Sequence, residues 1–324
     1  MNRHIRVGKI AIAAAIALTS FSGHAVVRQG AQPQRASTPS RVTVATGFNS
    51  TKIFEQTDAS GKVTIAVFER YATYAQSSYT NFVVDVPSDY VVVGGGGEGK
   101  ETPYGNLLTA SYPDAGLNAW LVSSKEHGVS DPVRLRAWAI GLKISGLTPT
   151  QLRSYINVAS STGITYTPYP EAIATLPDGY TLLGGGFRVN WSGAGNLGTA
   201  SAPLGANGWQ VRGKEHLYSS PATATAFVIG LQSNIPGIGS FASTINAAGS
   251  YVAAHPAITT FTPSGHALTG CGAYSNWTGA GNLLWKIKPT GTLSGPSACD
   301  VSSKDHMLSS PTTITGYAIG LRGY

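Results

Sequence analysis

The sequence has little charge, few cysteines and no long apolar stretch beyond its first 25 residues. Asp, Glu, Lys and Arg make up 11% of the 324 residues, and there are two cysteines. No later segment is long and apolar enough for a transmembrane helix, and none sustains the period of an amphipathic helix. No Cys/His cluster has the spacing of a zinc site. We therefore expect neither membrane insertion nor a helical bundle, and no metal or other cofactor.

The net charge of +7 is concentrated at the beginning of the chain. Six of the 22 basic residues precede Val42, where there is no acidic residue, so 16 basic and 15 acidic residues remain from Val42 onward. A near-neutral protein offers no electrostatic footprint for nucleic acid or for an anionic membrane. Nucleic acid is therefore not an expected partner.

Residues 1–25 have the features of a secretory signal peptide. A basic start, a short apolar run and small residues precede a predicted cleavage after Ala25, and the run is too short to anchor the chain in a bilayer. Residues 26–41 are rich in Pro, Gln and Ser and predict a flexible linker. The remainder, 42–324, is expected to be an exported single domain, periplasmic or extracellular.

Three copies of one unit make up that domain. Each copy has a short charged triplet that ends in histidine, and the glycine of an "IGL" segment lies fourteen positions after that histidine. Such fixed spacings identify internal repeats, which span about 42–142, 143–231 and 232–324. The triplets are Lys125-Glu126-His127, Lys214-Glu215-His216 and Lys304-Asp305-His306.

Each copy has the pattern of β structure. Thr, Val, Ile and aromatic residues form short runs that Gly, Asn, Asp and Pro interrupt, with one helical turn expected in "TPTQLRSYINV". A unit with about four strands cannot bury both faces alone, whereas three units closed around a pseudo-threefold axis share a core and hide their edge strands. We therefore predict an all-β, β-prism-like fold. A β-trefoil-like closure is the alternative, although a trefoil unit is usually much shorter.

A resemblance supports this interpretation. Each copy contains P-x-G-Y-x-x-x-G-G-G or a close variant, then G-N-L, G-W or its counterpart, and A-x-x-I-G-L. The pattern resembles β-repeats of secreted bacterial proteins of unassigned function. Its "PDGY…GGG" opening is also similar to the vitelline-membrane outer-layer β-prism, although the unit here is longer and lacks the cysteines of that family. Neither resemblance implies catalytic residues.

The two cysteines fall in the third copy. By the repeat alignment, Cys271 replaces the glycine equivalent to Gly185, and Cys299 replaces the tryptophan equivalent to Trp209. Both positions lie in strands of one unit, and export exposes them to an oxidising compartment. We predict a disulfide between them.

The charged triplet stands at the end of a predicted strand. Strict alternation places Trp209, Val211 and Glu215 on one face, with Lys214 and His216 on the other. The carboxylate is therefore expected on the core face with the tryptophan, where it needs hydrogen-bond donors or a cation.

Four interpretations of the triplet are open. In the first, the carboxylates accept hydrogen bonds from N–H groups of the following "SSP" or "SDP" loop and lock it. In the second, lysine, carboxylate and histidine surround a small polar ligand at each unit. In the third, the three histidines meet on the pseudo-axis as a metal site. In the fourth, a His–carboxylate pair is catalytic, although no nucleophile or second carboxylate accompanies it.

A second repeated segment, N-W-(S/T)-G-A-G-N, has two interpretations. Its glycines and final asparagine serve a tight turn, or its first asparagine and its tryptophan form an exposed platform for a sugar. The first copy has Lys100 and Glu101 in place of Asn-Trp, so its platform is expected to be degenerate. The candidate residues are Asn190, Trp191, Asn196, Asn276, Trp277 and Asn282.

These observations predict a secreted, lectin-like module that binds an extracellular glycan or surface component. The alternative is a structural protein of an extracellular matrix or surface layer, and a hydrolase is a distant third. An enzyme is not expected, because the triplet lacks the companion residues of a catalytic site.

Overall fold

A computed structural model describes residues 49–291 and 297–324. The predicted signal peptide and linker lie outside these residues. Within the described ranges, the helices are too short or too polar to cross a membrane.

Strands dominate all three repeats, and a single short helix accompanies them among the described residues. The first repeat contains β1 (Thr51–Thr57), β2 (Val63–Tyr71), β3 (Ser78–Asp85), β4 (Val91–Glu98), β5 (Leu107–Pro113), β6 (Ala119–Lys125) and β7 (Arg136–Ile144). The second contains α1 (Pro149–Ser154), β8 (Ile156–Thr162), β9 (Glu171–Thr175), β10 (Tyr180–Asn190), β11 (Leu197–Leu204), β12 (Gly208–Lys214) and β13 (Thr223–Gln232). The third contains β14 (Asn234–Ile235), β15 (Gly239–Gly249), β16 (Ala257–Phe261), β17 (Ala267–Ser275), β18 (Leu283–Thr290), β19 (Ala298–Lys304) and β20 (Ile314–Gly323).

The strands form three sheets, each of which joins strands of two repeats. The strand orders are β1-β2-β7-β4-β18-β19-β16, β3-β6-β5-β10-β13-β8 and β14-β15-β20-β17-β11-β12-β9. The seams between repeats are the antiparallel pairs β4–β18, β5–β10 and β11–β17. The all-β prediction is confirmed, and so is the helical turn, which begins at a Thr148 capping box with Pro149 in its first turn.

Glycines in the seam strands allow the three sheets to approach one another closely. A methyl group added to Gly184 would lie 3.0 Å from the backbone oxygen of Val93 and 3.3 Å from Cα of Gly270. The equivalent Gly94 would meet the same part of β17. Three strands from three repeats therefore meet where only glycine fits.

A second glycine in each of the first two repeats leaves room for a buried tryptophan. Gly95 faces the ring of Trp120, and Gly185 faces the ring of Trp209. In the third repeat Cys271 and Cys299 occupy these two places and form a disulfide. The predicted disulfide is confirmed, and it fits an extracellular location.

Candidate functional site

The lysines of the charged triplet are buried at the same end of the three sheets. They are the last residues of β6, β12 and β19, and each has at most 4% of its surface exposed. The end at which these strands finish is termed the histidine end. The three lysines are Lys125, Lys214 and Lys304.

Each lysine donates hydrogen bonds to a loop of another repeat. Lys125 Nζ lies 2.8 Å from the carbonyl oxygens of Ala194 and Gly195, which belong to the Asn-Trp loop of the second repeat. Because an ammonium group donates up to three hydrogen bonds, a cradle of backbone carbonyls compensates its burial.

The other two lysines repeat this contact around the molecule. Lys214 Nζ donates to Ala280 O of the third repeat at 2.5 Å. Lys304 Nζ donates to Lys100 O and Glu101 O of the first repeat at 2.7 and 2.6 Å. The contacts therefore run from the first repeat to the second, from the second to the third, and from the third back to the first.

The carboxylates of the triplet hold the loops that follow them. Glu126 accepts a hydrogen bond from Asp131 N at 3.0 Å, and Glu215 accepts one from Ser220 N at 2.9 Å. Asp305 makes the corresponding contact at 3.3 Å. The loop-locking interpretation predicted these bonds.

The expected burial of the carboxylates is wrong. Glu126, Glu215 and Asp305 are only partly buried, whereas the lysines and histidines beside them are buried. The reason is that each strand ends at its lysine. Strict alternation does not extend past that point, so the next residue turns away from the core face.

The three histidines come together at this end. The ring centroids of His127, His216 and His306 lie 5.3 to 5.9 Å apart. Nε2 of His216 lies 2.6 Å from His306 O, and Nε2 of His306 lies 2.6 Å from His127 O. These two nitrogens therefore face backbone carbonyls, which is the geometry of a hydrogen-bonded cluster.

Burial changes the protonation of this cluster. Burial lowers the pKa of Lys125 and of Lys304 to about 8. It is also the main cause that lowers the pKa of His306 to about 4, with Lys304 and the other two histidines adding to it. His306 is thus neutral near pH 7, and its Nε2–H donates to the carbonyl of His127.

A cleft opens beside the first of these inter-repeat contacts. It has a volume of about 380 Å³ and is lined by Trp191, Glu126, Ser78 and Ser130 among others, with Lys125 at its base. Lys125 Nζ lies 3.7 Å from the centroid of the indole ring, a cation–π contact that holds the ring in place. Trp191 is 37% exposed. We refer to this region as the Trp191 cleft.

The equivalent position between the second and third repeats is occupied by a tyrosine. Trp277 lies over Lys214 as Trp191 lies over Lys125, with 4.5 Å between Nζ and the ring centroid. The ring of Tyr169 packs 5.7 Å from that of Trp277. Tyr169 corresponds to Ser78 of the Trp191 cleft, so a large side chain stands where the first site has a small one.

The third equivalent position has a histidine between two carboxylates. Glu101 takes the place of tryptophan, as the sequence predicted, and His255 takes the place of Ser78. His255 Nδ1 lies 3.1 Å from Glu101, and its Nε2 lies 3.2 Å from Asp305. Glu101 thus stands where the other two positions have an indole.

The amides of the Asn-Trp segments are engaged within the protein. Asn190 Nδ2 donates to the hydroxyls of Thr223 and Thr225 on β13, both at 3.0 Å, and Asn276 Nδ2 donates to Thr313 at 2.9 Å. Of the predicted sugar platform, the tryptophan is therefore the part available to a ligand.

The final asparagines of the segments have a different structural role. They are fully buried, and their Nδ2 atoms donate to backbone carbonyls of adjacent loops at 2.9 to 3.3 Å. They fix the turn whose carbonyl groups accept hydrogen bonds from the triplet lysines. These residues are Asn106, Asn196 and Asn282.

A second cleft, of about 440 Å³, lies in the first repeat. Its charged groups pair with one another: Lys52 with Glu55 at 2.8 Å, and Lys143 with Asp89 at 2.6 Å. This cleft has no tryptophan among its lining residues.

Sequence reasoning missed two features of the site. The triplet of one repeat pairs with the Asn-Trp loop of another, and spacing within a repeat cannot show this. It also missed the position occupied by Ser78, Tyr169 and His255, which is the first residue of β3 or lies two residues before β9 or β16. Counting back from the proline of "PDGY" or its counterpart reaches Tyr169 and His255 after eight residues but Ser78 after nine, because β3 contains a bulge. An alignment without a gap would therefore have missed this position.

Comparisons of the chain with models of known protein families and with curated proteins find no match.

Proposed function

We propose that the protein is a secreted glycan-binding module whose site is the Trp191 cleft. The observation that carries this proposal is an exposed indole, fixed by a buried lysine, beside a carboxylate and two serine hydroxyls in one cleft. A pyranose ring presents an apolar C–H face that stacks on an indole, and hydroxyls that bond to carboxylate and serine groups.

The site is proposed to act once per chain. Tyr169 packs against Trp277 at the second position, and His255 bridges two carboxylates at the third. This narrows the expectation from the sequence, in which Trp191 and Trp277 were equivalent platforms.

The scaffold is proposed to be a β-prism-like closure of the three repeats around a pseudo-threefold axis. Three observations support it: the seams join the repeats cyclically, the lysine contacts run in the same cycle, and the three histidines meet. Such a closure leaves no repeat with an unpaired inner edge.

A glycan array with the wild type and two variants tests the function. We expect wild type and Trp277→Ala to bind the same set of glycans and Trp191→Ala to bind none of them. Absence of glycan binding by the wild type would contradict the proposal.

A structural role in an extracellular matrix or surface layer is the second candidate. The lysine-to-loop contacts favour it, because they use the repeated triplets to join repeats. A wild type that binds no glycan but assembles into ordered polymers would support this candidate.

A further inference from the structure

Exposed apolar side chains are concentrated at the histidine end. The loops before β3, β9 and β16 reach this end because each of these strands begins opposite the end of β6, β12 or β19, as the pair Ser78–Lys125 illustrates. Ile164 is 98% exposed, Tyr251 95% and Tyr74 75%. One loop of every repeat thus carries a large apolar side chain at its tip.

A second group of apolar side chains surrounds the histidines. It belongs to the turns that directly follow His216 and His306, and its members are between 44% and 49% exposed. The ring of Tyr218 lies 5.6 Å from that of His127, which places the group beside the histidine cluster. The group comprises Leu217, Tyr218, Met307 and Leu308.

The tips and this group lie at the same end of the molecule, and together they are here termed the loop-tip face. Scattered apolar residues are ordinary on a protein surface, but a concentration at one end of the molecule marks an interaction surface. The tips protrude from three separate loops, so a partner must accommodate several projections. A fluid lipid surface does this without preformed pockets.

The charges at this end select the kind of lipid. Lys100, Lys125, Lys214 and Lys304 nearly balance Glu101, Glu126, Asp131, Glu215 and Asp305 there. A nearly neutral end has no electrostatic attraction to an anionic bilayer. It suits a zwitterionic surface, whose quaternary ammonium groups also bind the faces of tyrosine rings.

We infer that the loop-tip face docks onto a phosphatidylcholine bilayer, with the tips of the three loops at the level of the headgroups and the carboxylates near the choline groups. Tyrosine and tryptophan favour this depth because one part of the side chain is apolar and the other is polar. The contact is interfacial and differs from the insertion of a spanning segment, against which the sequence argues.

Sedimentation with vesicles of pure phosphatidylcholine tests the inference. The tip variant carries Tyr74→Ser, Ile164→Ser and Tyr251→Ser. The control variant carries Ile173→Ser, Phe261→Ser and Tyr324→Ser, three side chains that are 52% to 61% exposed and lie outside the loop tips. Thermal melts establish that both variants are folded.

We expect the wild type and the control variant to bind the vesicles and the tip variant to partition at least about 10-fold more weakly. Three results would overturn the inference: no binding by the wild type, binding only when phosphatidylglycerol is added, or equal loss in both variants. The vesicles contain no glycan, so this result is independent of the one from the Trp191 cleft.

Discussion

Lys125, Lys214 and Lys304 bring a positive charge into the interior at positions where each repeat meets another. Backbone carbonyls of the neighbouring loop accept their hydrogen bonds, and an indole covers two of the three ammonium groups. Loss of one lysine therefore leaves buried acceptors without a donor. Such a loss costs more than a surface ion pair does.

Lys125→Met tests this contact at the interface of the first and second repeats. We expect the free energy of unfolding to fall by about 2–4 kcal/mol, because the loop carbonyls lose a charged donor. Denaturant titration measures the change. Lys143→Met, at an exposed ion pair, is the control and should change stability by less than about 1 kcal/mol. Equal effects would contradict the assignment.

The histidine cluster predicts an acid-sensitive stability. The unfolded chain protonates His306 near pH 6.5, whereas the folded protein does so only at about pH 4. Between these values the unfolded state binds more protons, so stability falls as pH decreases through this window and is fully retained above it.

We expect this one group to lower the free energy of unfolding by up to about 3 kcal/mol between pH 7 and pH 4. Denaturant titrations at several pH values measure it, and His306→Gln should reduce the slope. His266→Gln, at a partly buried histidine outside the cluster, is the control and should change the slope less than His306→Gln does. A His306→Gln slope equal to that of the wild type would count against a buried neutral His306.

At the scale of elements, the same place in the fold is filled in two chemically different ways. In the first two repeats an indole ring packs against a glycine of the neighbouring strand, Trp120 against Gly95 and Trp209 against Gly185. The third repeat has a disulfide there. Each indole N–H donates to a serine, Trp120 to Ser111 at 2.8 Å and Trp209 to Ser201 at 3.0 Å. The third repeat has Ile287 at the corresponding position.

The triple variant Cys271→Gly, Cys299→Trp and Ile287→Ser should restore the pairing of the other repeats. We expect it to melt at a higher temperature than Cys271→Ala with Cys299→Ala, which leaves a cavity and loses the cross-link. Calorimetric scans of both variants measure the difference. A triple variant less stable than the alanine pair would show that the third repeat cannot accept a tryptophan.

Local patterns predicted the elements better than their ends. Residue types and turn signals were enough for the strands, the helical turn and the Cys271–Cys299 pair. The face of Glu215 was misassigned, because alternation was continued one residue past the end of β12. The burial of Lys214 was missed because a loop of another repeat covers it. The end of a strand depends on contacts with the loops around it, and these are not local in sequence.

At the scale of the whole molecule, the repeats were readable because three copies share fixed spacings. The contacts between repeats could not be predicted, because similar repeats do not reveal whether Lys125 contacts the loop of its own repeat or that of the next. The difference between the three sites could not be predicted either, because it depends on Ser78, Tyr169 and His255. Each of these residues lies more than 100 positions from the carbonyl loop that it faces, as His255 and Glu101 illustrate with a separation of 154.

The stoichiometry of glycan binding tests the central claim most directly. Calorimetric titration of the wild type, with the glycan selected by the array, should give one site per chain. Trp191→Ala should abolish binding with little change in melting temperature, because the indole is partly exposed, and Trp277→Ala should still bind with a stoichiometry of one. Two sites per chain, or binding that survives Trp191→Ala, would contradict the account.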